Sequence, residues 1–207
     1  MFRVTKVLLA VLVLGGLAAA PAWGIIRINP NNDVTIRNGA NKNASDPFGL
    51  FVKNSSDVSY MEYTLDSTAA LEARLVLHND DAGVSNPWEI VIKGDEFSFD
   101  EATFNDTFAG SGWPQVGTMP GVMAIDFYEM DLTVWYNENL GKTMSLFMTR
   151  DAQPGGSGPI FEDREGTKTG NALMYGPRIE VVEIPEPVSL TLLSLGLGLC
   201  LRGRRRM

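Results

Sequence analysis

Hydrophobic and polar positions alternate in short runs through most of the chain. Met61, Tyr63 and Leu65 interleave with Tyr60, Glu62 and Thr64, and Leu71, Ala73, Leu75 and Leu77 interleave with Glu72, Arg74, Val76 and His78. Trp88, Ile90 and Ile92 do the same with Glu89, Val91 and Lys93. A period of two places each set on one face of a strand, so each run predicts a half-buried strand. Residues 67–74 contain good helix formers, but the alternation continues to Leu77 and favours a strand from Leu71. Gly94-Asp95 stands before residues 96–100, where Phe97 and Phe99 alternate, and predicts a two-residue hairpin. The longest run, residues 122–136, predicts a strand with Ala124, Tyr128, Met130, Leu132, Val134 and Tyr136 on one face and a bend midway. Leu146 and Met148 follow a turn near Gly141, and Ile179 and Val181 predict a last strand. Asn38-Gly39, Asn86-Pro87 and Pro154-Gly155-Gly156 mark turns, and residues 105–121 and 151–171 predict long loops. Many short strands with turn-rich links predict an all-β fold, a β-sandwich with a jelly-roll-like form among its variants.

The two ends break this pattern. Residues 1–24 begin with Arg3 and Lys6, continue as an apolar run too short for a comfortable bilayer span, and end on small residues. Ala20 and Ala22 suit the −3 and −1 positions of a cleavage site, and Ala22 with Gly24 offers a second frame. This is the layout of a secretory signal, predicting an N-terminal signal helix. At the other end Pro185-Glu186-Pro187 precedes an apolar stretch, residues 188–201, and then Arg202, Arg204, Arg205 and Arg206. That stretch has 14 residues. A helix of that length spans roughly 21 Å, short of the ~30 Å hydrocarbon core, and the arginines favour the cytoplasmic side. The two prolines stop the helix from extending upstream. The sequence therefore divides into residues 1–24, a β-sandwich domain at 25–183, and a terminal signal at 184–207.

The last segment resembles the PEP-CTERM sorting signal: a Pro-Glu-Pro triplet, a short Leu/Gly-rich apolar helix and an Arg-rich terminus, in that order. The match covers only the C-terminal end, and Cys200 within the apolar stretch is a small departure. The resemblance implies recognition by an exosortase, a membrane protease-transpeptidase, with processing near the triplet. It implies export through the Sec machinery in an exopolysaccharide-producing Gram-negative bacterium. The inner membrane would hold the chain transiently, before delivery to the cell surface or extracellular matrix.

Charge and cysteine content narrow the middle further. Cys200 is the one cysteine, so the body has no disulfide and relies on burial. From Arg27 to Glu186 there are 11 bases and 25 acids, a net charge of −14. Such a surface repels phosphate backbones and argues against nucleic acid as a partner.

Candidate chemistry in the middle is sparse. His78 is the lone histidine, and the strand pattern turns it to solvent, which disfavours a Ser-His-Asp triad or a zinc site. Asp80 and Asp81, in an oxygen-rich turn before Gly83, are candidate calcium ligands, although the spacing is not that of an EF-hand and a solvated turn is the plainer reading. Gly141-Lys142-Thr143 imitates the end of a P-loop, but Tyr136 stands where that pattern needs a glycine. Trp113, among Gly110, Ser111 and Gly112, is a candidate for stacking on a sugar ring; a loop tryptophan also commonly plugs the edge of a core. The expectation is a non-catalytic surface or matrix protein without a required cofactor. The alternatives are a carbohydrate-binding module, with exopolysaccharide as its partner, and a polysaccharide hydrolase, for which no single carboxylate pair stands out.

Overall fold

The computed structural model describes residues 24–42, 49–52, 57–81, 84, 87–150, 158–166 and 169–183. The signal-like segment before Gly24 and the Pro-Glu-Pro, apolar and arginine segment after Glu183 lie outside the described residues, as does the turn at 154–156. Residues Ile25–Glu183 form one compact unit. Among the described residues no helix is long and apolar enough to cross a membrane.

Among the described residues twelve strands make two antiparallel sheets. The first sheet holds β1 (Ile25–Ile28), β4 (Leu50–Phe51), β6 (Ala70–Asn79), β9 (Asp126–Asp131), β11 (Ile160–Phe161) and β12 (Arg178–Glu183). Its long members run in the order β1-β12-β6-β9. The second sheet runs β3-β2-β5-β10-β7-β8, from β3 (Ala40–Asn41) and β2 (Asn32–Arg37) through β5 (Asp57–Thr64), β10 (Thr143–Arg150) and β7 (Trp88–Asp95) to β8 (Gln115–Val122). Ala73, Leu75, Leu77, Ile179 and Val181 of one sheet share a buried cluster with Met61, Tyr63, Ile90, Ile92 and Leu146 of the other. The body is thus a β-sandwich, and the predicted alternation at β5, β6, β7 and β12 supplies its interior. Asn38 and Gly39 join β2 to β3 with φ of 51° and 74°, the left-handed pair that a tight hairpin needs.

Several expected elements differ. Gly94-Asp95 is not a hairpin: both residues belong to β7, and residues 96–100 form no strand. Glycine is required at 94 because a Cβ there would meet Trp135 Nε1 and Val116 Cγ2, each at 2.9 Å. Residues 122–136 are not one strand. β8 ends at Val122, β9 ends at Asp131, and a short helix occupies Thr133–Glu138. Asp131 Oδ1 accepts from the Thr133 N–H at 2.8 Å and from its hydroxyl at 2.6 Å, which draws the chain off the ladder and holds the Asp131 carboxyl below its ordinary pKa. Asn137 then accepts from the Ala70 N–H and donates to the Ala70 carbonyl, docking the helix beside β6. The predicted loop at 105–121 contains a 3-10 turn, Ala109–Gly112, and most of β8. Leu71 is 57% exposed rather than interior, because the register between β6 and β12 shifts at Val182/Glu183 and turns Leu71 outward as Ala70 turns in.

His78 also departs from expectation. It lies on the outer face of its sheet, as the alternation implies, yet it is only 7% exposed. Phe127, its cross-strand partner, and Tyr175, from the short helix Ala172–Tyr175, cover it with ring centroids at 4.8 and 4.6 Å.

Candidate functional site

The outer face of the second sheet carries the features that bear on binding. Val34 and Ile36 of β2, Val58 and Tyr60 of β5 and Phe147 of β10 project there. The segment between β7 and β8 folds over them with Phe97, Phe99, Phe104 and Trp113. Tyr60 is the hub: Phe147 and Phe104 lie 4.8 and 4.9 Å from its ring centre, Trp113 and Phe99 at 6.0 and 6.2 Å. These are edge and tilted geometries that favour aromatic pairs. Burial pushes the Tyr60 hydroxyl up to about 12, although it accepts from the Gly110 N–H. Polar side chains of the sheet pin the segment down. Glu62 accepts from the Phe99 N–H at 3.0 Å, and the Ser145 hydroxyl donates to the Phe97 carbonyl at 2.7 Å.

Beside this covered patch the same face stays open. A groove of about 400 Å³ has Val91, Lys93, Phe147 and Thr149 as its floor. Thr107, Phe108 and Ser111 of the covering segment form one wall, and Gln115 and Arg150 complete the lining. Phe108 is 66% exposed at the lip. Glycine at 110 lets the wall approach the floor, since a Cβ there would meet the Phe147 ring at 2.4 Å. Lys93 Nζ donates to the Ser111 carbonyl and ties the 3-10 turn to β7.

The residues singled out from sequence fall in different places. Trp113 is half-buried within the aromatic cluster and next to, rather than in, the groove lining. Asp80 and Asp81 sit at the end of β6, where Asn79 closes the turn by donating to the Asp81 carbonyl at 3.1 Å. Asp80 Oδ1 lies 3.9 Å from His78 Nδ1. The acids that approach one another are others. Asp33, Glu101 and Glu165 bring carboxylate oxygens within 4.8 Å. Arg164 supplies a cation among them: its guanidinium pairs with Glu101 and Glu165 at 2.7 Å each, and its backbone N–H donates to Asp33 Oδ2 at 2.6 Å. Asp33 is fully buried, and that burial raises its carboxyl well above the ordinary value, with the Glu165 charge adding to the rise. Asp33, with no exposed surface, cannot meet a glycosidic oxygen, and Glu101 and Glu165 are engaged by Arg164, so this cluster reads as a partly exposed ion pair network around one buried acid. The one signal for Phe108 was its place in a glycine-rich loop, which also pointed to Trp113.

No protein-family model matches the chain, and no curated protein matches it. Among solved structures the chain is similar to one described as the native structure of a family 35 carbohydrate binding module from Clostridium thermocellum. That likeness has a TM-score of 0.32 and 10% identity, and covers 75% of this chain and 97% of the other. It gives no correspondence between residues of the two proteins.

Proposed function

We propose that this chain is an exported, non-catalytic surface or matrix protein whose β-sandwich body binds a saccharide at the groove on its second sheet. The observation that carries the binding reading is the groove itself: an open recess with an exposed aromatic ring at the lip, Phe108, and hydroxyl and amide groups of Thr107, Ser111, Thr149 and Gln115 in its lining. Sugars present apolar C–H faces beside ring hydroxyls, so one aromatic face plus several neutral donors and acceptors is the matching chemistry. The strand order β1-β12-β6-β9 against β5-β10-β7-β8 supports a jelly-roll form of the sandwich. The arrangement of Ala20, Ala22, Pro185-Glu186-Pro187 and the terminal arginines supports export and exosortase sorting.

The binding reading is tested by titrating the full-length chain with oligosaccharides from the exopolysaccharide of the producing cell. Saturable binding is expected, with Phe108→Ala weakening it by about tenfold, the loss of one stacking contact. Binding unchanged in Phe108→Ala and in a groove-filling Ser111→Trp would overturn it. The sorting reading is tested by the mass of the exported protein, expected to lack Arg202 to Arg206; retention of those residues would refute it.

A further inference from the structure

The chain enters and leaves the body at one place. Ile25, the first residue of β1, stands opposite Val182, and β12 ends one residue later at Glu183. The two strands are antiparallel, so the residues before Ile25 and after Glu183 depart from the same end of the first sheet. An apolar run lies close by in the sequence on each side. Residues 21–24 separate Ala20 from Ile25, and residues 184–187 separate Glu183 from Val188. A link of four residues reaches about 14 Å when fully extended. Arg3 and Lys6 precede the first run, and Arg202, Arg204, Arg205 and Arg206 follow the second. The positive-inside rule puts both basic flanks on one side of a bilayer and the body on the other. The second run, at 14 residues, is shorter than the hydrocarbon core, and a short run is matched by drawing its flanks towards the bilayer.

That end of the body is fringed with exposed apolar side chains. Across it the elements follow in the order β1, β12, β6 and the helix Thr133–Glu138, which Asn137 holds to Ala70. Ile25 is 55% exposed at the β1 edge, with Ile26 beside it. Leu71 is turned out by the register shift at the start of β6, and Val134 of the helix is 72% exposed. Asp66 and Glu138 are exposed at the same end. The bases nearby each face an acid: Lys142 pairs with Glu96, Arg74 with Glu72 and Glu129, and Arg27 with Glu180. β6 runs ten residues, about 30 Å, to the far end, where Phe127, Leu173 and Met174 are exposed.

We infer that this end of the body is a membrane-contact surface: Ile25, Ile26, Leu71 and Val134 dip into the interface of the bilayer that holds residues 188–201, among zwitterionic rather than anionic headgroups. This rests on reading residues 188–201 as membrane-lodged during export, and adds where the body then lies. A few separate apolar side chains attach weakly by themselves, but a short tether keeps them at high effective concentration beside the surface. The acidic body disfavours an anionic leaflet, which sets the headgroup preference. Removal of the tail takes away the tether and releases the contact.

The test reconstitutes the full-length chain into phosphatidylcholine vesicles with one nitroxide label at a time. Collisions of the label with oxygen, which concentrates in lipid, are compared with collisions with a water-soluble nickel chelate. Labels at Leu71→Cys and Val134→Cys, each in a Cys200→Ser background, should meet oxygen more often than nickel. A label at Leu173→Cys, in the same background, should show the reverse. All three side chains are exposed, so labelling them leaves the core intact. Adding Leu71→Glu should return the Val134 label to the aqueous pattern. Replacing part of the lipid with phosphatidylglycerol at low salt should shift it the same way, and no shift would overturn the headgroup preference. The native Cys200, labelled in the unsubstituted chain, reports on the underlying reading and should be shielded from nickel. A shielded Cys200 with aqueous labels at Leu71 and Val134 would sink the contact and leave the tail reading standing. An aqueous Cys200 would remove both. Spin–spin broadening at Leu71 without immersion would give the strip to a second copy of the chain and likewise overturn the inference.

Discussion

The two hydrophobic clusters on either side of the second sheet are built by different rules. The cluster between the sheets draws on Met61, Leu75, Ile92, Leu146 and Val181, aliphatic and methionine side chains that recur every second residue along strands. The outer cluster is mostly aromatic, and Phe97, Phe99, Phe104 and Trp113 reach it from a segment with no strand. The first follows from the pleat, which sends alternate side chains to one face. The second depends on rings large enough to bridge from an irregular backbone to the sheet, and on Glu62, Ser145 and Tyr60 holding that backbone by hydrogen bonds. The contrast teaches that the sheet is a platform with two uses: one face holds the fold together, and the other carries a covered patch and an open groove side by side.

The sharpest way to break this comparison is to damage each cluster and ask how far the effect spreads. Leu146→Ala, at a side chain with no exposure in the interior, should lower global stability by about 2–5 kcal/mol in chemical denaturation. A loss below about 1 kcal/mol would show that the interior is not what joins the sheets. Gly110→Ala, where the new methyl meets the Phe147 ring, should cost about 1–3 kcal/mol by overpacking. Its effect should be local: amide exchange rises across residues 96–114 while the amides of β6 keep their protection. Equal loss of protection in β6 would mean that the two clusters form one cooperative unit.

A third prediction concerns the polar corner of the interior. Asp33 stands opposite Met61 in the ladder, and its folded carboxyl titrates above the ordinary value near 3.8. As pH rises past that value the unfolded carboxyl ionises while the folded one holds its proton, so this group's contribution to stability falls until the folded pKa is passed. Asp33→Asn should flatten that decline, read as the difference between the stability-pH curves of the two proteins. A constant offset at all pH values would refute the assignment. The smallest effect is expected from calcium. At millimolar concentration it should shift the melting temperature by no more than a few degrees, because Asn79 already closes the Asp80-Asp81 turn. A larger shift, abolished in Asp80→Asn/Asp81→Asn, would show that the turn holds a cation.

The alternation at residues 60–65, 73–78 and 88–93 was legible because period two survives any tertiary context that buries one face, whereas the register shift at Val182/Glu183 took Leu71 out of it. It failed at 122–136, where apolar residues keep the period although Asp131 ends the strand through its own side chain. Phe97 and Phe99 mimicked a strand because two rings that face the same patch are naturally two residues apart, whatever the backbone does between them. The groove left almost no trace in the sequence. Its floor comes from β7 and β10 and its wall from the segment that leads into the 3-10 turn, and no local spacing connects Val91 with Thr149 or Lys93 with Ser111.

By its order of residues alone, this chain specified strands with one greasy face, a turn at Asn38-Gly39, an acidic and cysteine-free body, and two end segments of unlike composition. Those properties are set by neighbours in the chain, where pleat, turn chemistry and charge act over a few residues. Only the tertiary structure decided that His78 is roofed by Phe127 and Tyr175, that Arg164 pairs with both Glu101 and Glu165, and that Phe108 and Ser111 stand over a floor of Val91 and Thr149. Each of those outcomes joins residues from separate elements. Burial and charge pairing act through space, and nothing in the local pattern records which distant segment will arrive to supply them.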